Sequence, residues 1–97
     1  MREDLEALRM ATVEAALRGE GELPSKVREA LARGDGPDEM RALVAKVRDR
    51  AYEVTDRDLD ALRARYSDDQ LFEAVVAMVL GAAETRLRAG LRALEGA

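Results

Sequence analysis

The chain has 97 residues, sixteen basic against twenty acidic side chains for a net charge of −4, and neither cysteine nor histidine. That length suits one domain with a single core, which buries a smaller share of its surface than a larger protein does. Without thiol or imidazole there are no disulfides, thiolate nucleophiles or thiolate and histidine metal sites, and the acidic balance argues against a phosphate backbone as ligand, so no cofactor, metal or nucleic-acid partner is expected.

Apolar residues make up 47% of the chain, yet the aromatics are only Tyr52, Tyr66 and Phe72. Ala, Leu and Val must therefore build the core, a composition that suits closely packed helices. The pattern predicts an all-α chain, a compact bundle of about five helices in one domain, 1–97.

The segment Glu3 to Arg18 carries Leu5, Leu8, Val13 and Leu17 among charges and stops at Gly19 and Gly21. It reads as a helix and, over residues 1–22, as an N-terminal arm. Leu23-Pro24-Ser25 opens a short helix with Val27, Ala30 and Leu31 on one side, closed by Gly34 and the turn Asp35-Gly36-Pro37. The main body, 37–95, follows. Pro37 suits a first helical turn, Asp38 and Glu39 complement the dipole there, and Met40, Leu43, Val44, Val47 and Ala51 recur at helical spacing. Thr55 with Asp58 and Ser67 with Gln70 read as capping boxes. They open a short helix carrying Leu59 and Leu62 and a last helix reaching about Leu94. No strand-like alternation persists anywhere.

At about 100° per residue, Phe72, Val76, Val79, Ala83, Leu87 and Leu94 share one broad stripe of the last helix, expected to face the core. The other side, between Ala74 and Ala83, offers Ala74, Ala77, Met78 and Gly81, so this stretch is apolar all round. Small side chains let another backbone approach closely, and a chain this short has few elements left to cover a second face. A homo-oligomer formed through Ala74, Ala77, Met78 and Gly81 is the economical expectation, with a helix wrapped by its own neighbours as the other. Arg86 lies beside the Val75 and Val79 side, where a guanidinium needs a carboxylate or carbonyl partner or snorkels to the surface. The N-terminus lacks an apolar secretory region and the run Ala74 to Ala83 is too short to span a bilayer, so a soluble, cytoplasmic chain without membrane contact is expected.

The stretch Val54-Thr55-Asp56-Arg57-Asp58-Leu59-Asp60-Ala61-Leu62-Arg63, then Tyr66-Ser67-Asp68-Asp69-Gln70-Leu71-Phe72-Glu73, continued by Leu80-Gly81-Ala82-Ala83 and Arg86-Leu87, carries a family likeness. It resembles the C-terminal helical half of the carboxymuconolactone decarboxylase / alkyl hydroperoxidase-like (AhpD-like) family. The resemblance implies a helical scaffold in which a capped short helix leads into a long apolar one. Peroxidase and disulfide-reductase members carry a Cys-x-x-Cys pair with a nearby His and Glu. Nothing in this chain maps onto those positions, and a mechanism in which one thiolate attacks and its neighbour resolves is excluded here.

The decarboxylase side of the family needs acid–base chemistry instead. Candidate groups are Glu73 and Glu84, with Tyr52, Tyr66 and Arg86 to orient. Each also has a plain reading: surface carboxylates, with Glu84 pairing Arg88 one turn on, and tyrosines as amphipathic packing. Three functions stay open: an oligomeric helical module without thiol peroxidase activity, a non-thiol acid–base enzyme, and a small-molecule binder with an interhelical or intersubunit pocket. Convergence of Glu73, Glu84, Arg86 and a tyrosine on a closed cavity would favour the enzyme, an empty apolar cavity the binder, and a flush helix interface the module.

Overall fold

The computed structural model describes residues 7, 8, 10, 11, 13, 14, 16, 17 and 19–96. Among these, four α-helices have defined bounds: α1 Ser25–Ala32, α2 Arg41–Arg50, α3 Asp56–Asp60 and α4 Asp68–Gly96. Single 3₁₀ turns, Asp38–Met40 and Ala51–Glu53, flank α2. The described residues between 7 and 17 are helical as well, and the remainder of the expected Glu3 to Arg18 helix lies outside the described residues. No strand occurs among the described residues, in keeping with the all-α reading.

Local chemistry sets the ends of these helices. α1 starts after Pro24, whose carbonyl accepts from the N–H groups of Val27 and Arg28 at 3.0 and 3.2 Å. It ends where Asp35 N–H donates to Ala30 O at 2.8 Å and Gly34 N–H to Leu31 O at 3.1 Å. That pair of bonds needs a left-handed residue after the helix, and Gly34, at φ 92°, supplies it. The cap at Ser67 works in both directions: Gln70 N–H donates to the Ser67 hydroxyl at 3.1 Å, and Ser67 N–H donates to Gln70 Oε1 at 2.8 Å. Asp68 and Asp69 then occupy the positive first turn of α4. At α3 the Asp58 carboxylate accepts from Thr55 N–H at 2.8 Å and lies 3.4 Å from the Thr55 hydroxyl. Lys46 donates to both oxygens of that carboxylate at 3.0 and 2.9 Å, so the start of α3 is pinned to α2.

The core gathers Leu23, Leu31, Met40, Leu43, Val44, Val47, Leu62, Leu71, Ala74, Ala77 and Met78. Met40, Leu43, Val44 and Val47 are buried as their spacing predicted. Ala51 is exposed, because the α-helix gives way to a 3₁₀ turn at that residue and the periodicity ends with it.

The two faces of α4 are the reverse of the expectation. The buried residues are Leu71, Ala74, Ala77, Met78, Gly81 and Ala82, and they pack on α1 and α2 of the same chain. Phe72, Val79, Leu87 and Leu94, expected in the core, are 70, 45, 41 and 75% exposed. Residue size accounts for the inversion. A Cβ on Gly81 would overlap the backbone of Ala32, so α1 approaches until only small residues fit beneath it. The face of Ala74, Ala77, Met78 and Gly81, expected to meet another subunit, is therefore filled by the chain itself.

Twenty-nine residues make α4 about 43 Å long, close to the 46 Å longest dimension of the molecule. From Thr85 to Gly96 every residue except Leu91 is exposed; Thr85, Arg86 and Arg88 still border the rest of the chain, and about two turns beyond them leave the body. No helix among the described residues is long and apolar enough to cross a membrane.

Candidate functional site

Glu73 faces the loop ahead of α1. Its carboxylate accepts from Glu22 N–H at 2.7 Å and Leu23 N–H at 3.3 Å, and Arg28 Nε stands 3.8 Å from Oε1. Arg28 is the one charged side chain that is buried among the described residues, 4% exposed. Its guanidinium donates to three carbonyls: Leu23 at 3.2 Å, Ala16 at 2.9 Å, and Gly19. Glu73 and Arg28 together thus tie the N-terminal segment and its following loop to α1 and α4. Removing a guanidinium from water is tolerated only when its donors are satisfied in this way. Sequence reasoning passed over Arg28, although its position three residues before Leu31 and next to Val27 places it on the buried side of α1.

Glu84 lies eleven residues further along α4, about 16 Å from Glu73 in helical rise. It sits 3.8 Å from Arg88 one turn on and lines a groove of about 670 Å³ between the N-terminal segment, α1 and α4. Val13, Leu17 and Leu80 give that groove its apolar wall, and Glu29, Arg33, Arg48 and Arg88 its charged rim. Arg86 points elsewhere: its guanidinium donates to the carbonyl of Arg48 near the end of α2, where a cation complements the helix dipole.

The tyrosines lie apart from both carboxylates. Tyr52 is 85% exposed. Tyr66 donates its hydroxyl to Glu39 Oε1 at 2.6 Å. This bond holds the Glu39 carboxyl below its ordinary range, with Arg65 adding attraction, and pushes the Tyr66 phenol up. Glu73, Glu84, Arg86 and Tyr66 therefore have separate partners, Tyr52 stands in solvent, and the five do not meet around one cavity. No cluster of three potential metal ligands occurs among the described residues.

The remaining surface feature of note is the outward face of α4. Phe72, Val76, Val79, Ala83, Leu87 and Leu94 run along it, Val76 half-buried and the others exposed. The opposite face changes at residue 84 from small core residues to Glu84, Arg88, Arg92 and Glu95, while the apolar stripe continues unchanged. Comparisons with family models, with curated proteins and with solved structures give no match to the chain. Fold and surface alone then define the class: an all-α chain that presents one long helix with a bare apolar face.

Proposed function

We propose that the chain is a self-associating helical module, built on an AhpD-like scaffold without thiol peroxidase activity, and that the outward face of α4 meets a second copy. One observation carries this reading: the apolar stripe is continuous from Phe72 to Leu94, including the turns that leave the body. Exposed apolar surface of that extent marks an interaction site on a folded protein. A protruding amphipathic helix of about two turns is also marginal alone in water and is stabilised by covering its apolar side.

The AhpD-like kinship rests on the capped junctions at Thr55 and Ser67 and on the long helix that follows them. The acid–base reading has less support, since its candidates Glu73, Glu84, Arg86 and Tyr66 are engaged in separate contacts and Tyr52 is exposed. The groove beside Glu84 favours a second reading, an amphipathic small ligand held between Leu17 and Leu80 with its polar end at the arginines. A cytoplasmic setting is part of the proposal.

Sedimentation equilibrium tests it. Wild-type protein should rise from monomer to dimer mass with concentration, and Leu87→Glu, at an exposed position, should remain a monomer with an unchanged helical spectrum. Monomeric wild type across the range, or a Leu87→Glu variant that still dimerises, would overturn the assignment.

A further inference from the structure

The exposed stripe has an internal symmetry that fixes how two copies meet. With Gly90, which is exposed on the same face, its members are Phe72, Val76, Val79, Ala83, Leu87, Gly90 and Leu94. The steps between them are 4, 3, 4, 4, 3 and 4 residues, the same read in either direction about Ala83. At about 100° per residue all seven lie within an arc of about 80°, so the stripe runs nearly straight along the helix.

We infer that two copies pair lengthwise and antiparallel through this face, with the two-fold axis passing beside Ala83. This inference rests on the self-association reading and adds the partner and its register. An isologous contact requires that whatever residue i touches on the other copy touches residue i in return. In this register Ala83 meets Ala83, Val79 meets Leu87, Val76 meets Gly90 and Phe72 meets Leu94, so every apolar member meets another member of the stripe. The small pair at the axis lets the backbones approach, and the missing side chain of Gly90 makes room for Val76. A parallel pairing would set Gly90 against Gly90 and leave a void, which forfeits contact energy.

The shape of the molecule agrees with this arrangement. The stripe is bare where α4 lies on the body and also where it protrudes. An antiparallel partner lays its protruding turns on the body half of the first copy and receives the same in return. At the body end of the stripe, Leu59, Leu71, Phe72 and Val75, with the paired Arg63 and Asp68 beside them, line a mainly apolar notch of about 230 Å³. The partner's C-terminal turn around Leu94 is delivered there. The contact strip is about 33 Å long and about 10 Å wide, so its area per copy is within the range of functional apolar patches and below that of stable dimers, as for a weak, transient contact. The dimer is accordingly concentration-dependent.

The chain contains no cysteine, so every disulfide formed after a single substitution reports the introduced thiol. Ala83→Cys, Phe72→Cys and Leu94→Cys, each confirmed as helical, are oxidised at concentrations where wild type sediments as a dimer. Ala83→Cys should cross-link at least about tenfold faster than Phe72→Cys or Leu94→Cys alone, since only thiols at the axis come within disulfide reach. A mixture of Phe72→Cys and Leu94→Cys should give the cross-linked pair that neither gives alone. Equal self-cross-linking at all three positions would establish a parallel pair and overturn the register. A dimer in which Ala83→Cys does not cross-link would overturn the register and leave self-association standing, whereas monomeric wild type would remove both.

Discussion

The two faces of α4 have the same apolar character and opposite fates. The inner one, Ala74, Ala77, Met78 and Gly81, is built mainly from small residues and lies against the chain's own helices. The outer one, Phe72, Val79, Leu87 and Leu94, is built from larger residues and stands in solvent. Hydropathy alone assigns the larger residues to the core, since each would gain more from burial. Close approach of α1 overrides that preference: a face that admits a backbone must be flat, and flatness requires small side chains. Helical periodicity therefore shows that a helix has two apolar faces, while side-chain volume shows which one the chain can cover itself.

Substitutions on the inner face should have the largest effect. Gly81→Val forces a branched side chain into the Ala32 backbone and should cost about 3 kcal/mol, at the upper end for overpacking. Urea unfolding measures this, and near wild-type stability would mean that α1 does not approach α4 this closely. Next comes Arg28→Leu, which leaves the carbonyls of Ala16, Gly19 and Leu23 without their shared donor. A loss of about 2 kcal/mol is expected, together with faster amide exchange in residues 16–23, the segment that the guanidinium holds.

Capping gives a smaller, local effect. Ser67→Ala should cost about 1 kcal/mol and Ser67→Asp should be nearly neutral, because a carboxylate still accepts from Gln70 N–H and suits the positive helix end. Thermal unfolding of the two variants beside wild type separates this from a loss of general packing, which would affect both alike.

The pH dependence should be gentler still, since the groups involved are partly or fully exposed. Glu39 and Asp58 are held below their ordinary values, Glu39 first by the Tyr66 hydroxyl and Asp58 first by Thr55 N–H and then Lys46. Each binds fewer protons folded than unfolded through the acid range, so its contribution is present above its ordinary value and lost as pH falls through the folded one. Tyr66 is raised, so its contribution is present below its ordinary value and lost as pH rises through the folded one. Tyr66→Phe should weaken the acid limb through Glu39 and remove this contribution from the alkaline limb. Unchanged limbs in a stability profile would show that the Tyr66–Glu39 bond does not persist in solution. Smallest of all on stability is the outer face: Leu87→Gln should change unfolding by less than about 0.5 kcal/mol while weakening association.

Legibility in the sequence followed the distance over which each interaction acts. The Ser67–Gln70 cap spans three residues and was readable in both directions, as was the turn around Gly34 and the buried run Met40, Leu43, Val44 and Val47. Among the candidate site residues the Glu84–Arg88 pair, one turn apart, was readable too, whereas the contacts of Glu73 and Tyr66 were not. Glu73 meets Glu22 and Leu23 across 51 and 50 residues, and Tyr66 meets Glu39 across 27. No spacing rule reaches that far. Arg28 fell between the two cases: its side of α1 followed from Val27 and Leu31, but its carbonyl partners depend on how the preceding loop folds back. The orientation of α4 was hidden for a different reason, since a helix that is apolar all round has no polar face to point outward.

The most direct measurement labels neighbouring positions on the two faces. Met78 is 1% exposed and Val79 45% exposed, so the thiols introduced by Met78→Cys and Val79→Cys, in an otherwise cysteine-free chain, report the inner and outer faces separately. Pulsed thiol alkylation should find Met78→Cys protected at every protein concentration, and Val79→Cys reactive when dilute and protected when concentrated. Rapid labelling of a folded, dilute Met78→Cys variant, or labelling of Val79→Cys that is independent of concentration, would contradict the division of α4 into a face the chain covers itself and a face proposed to meet a second copy.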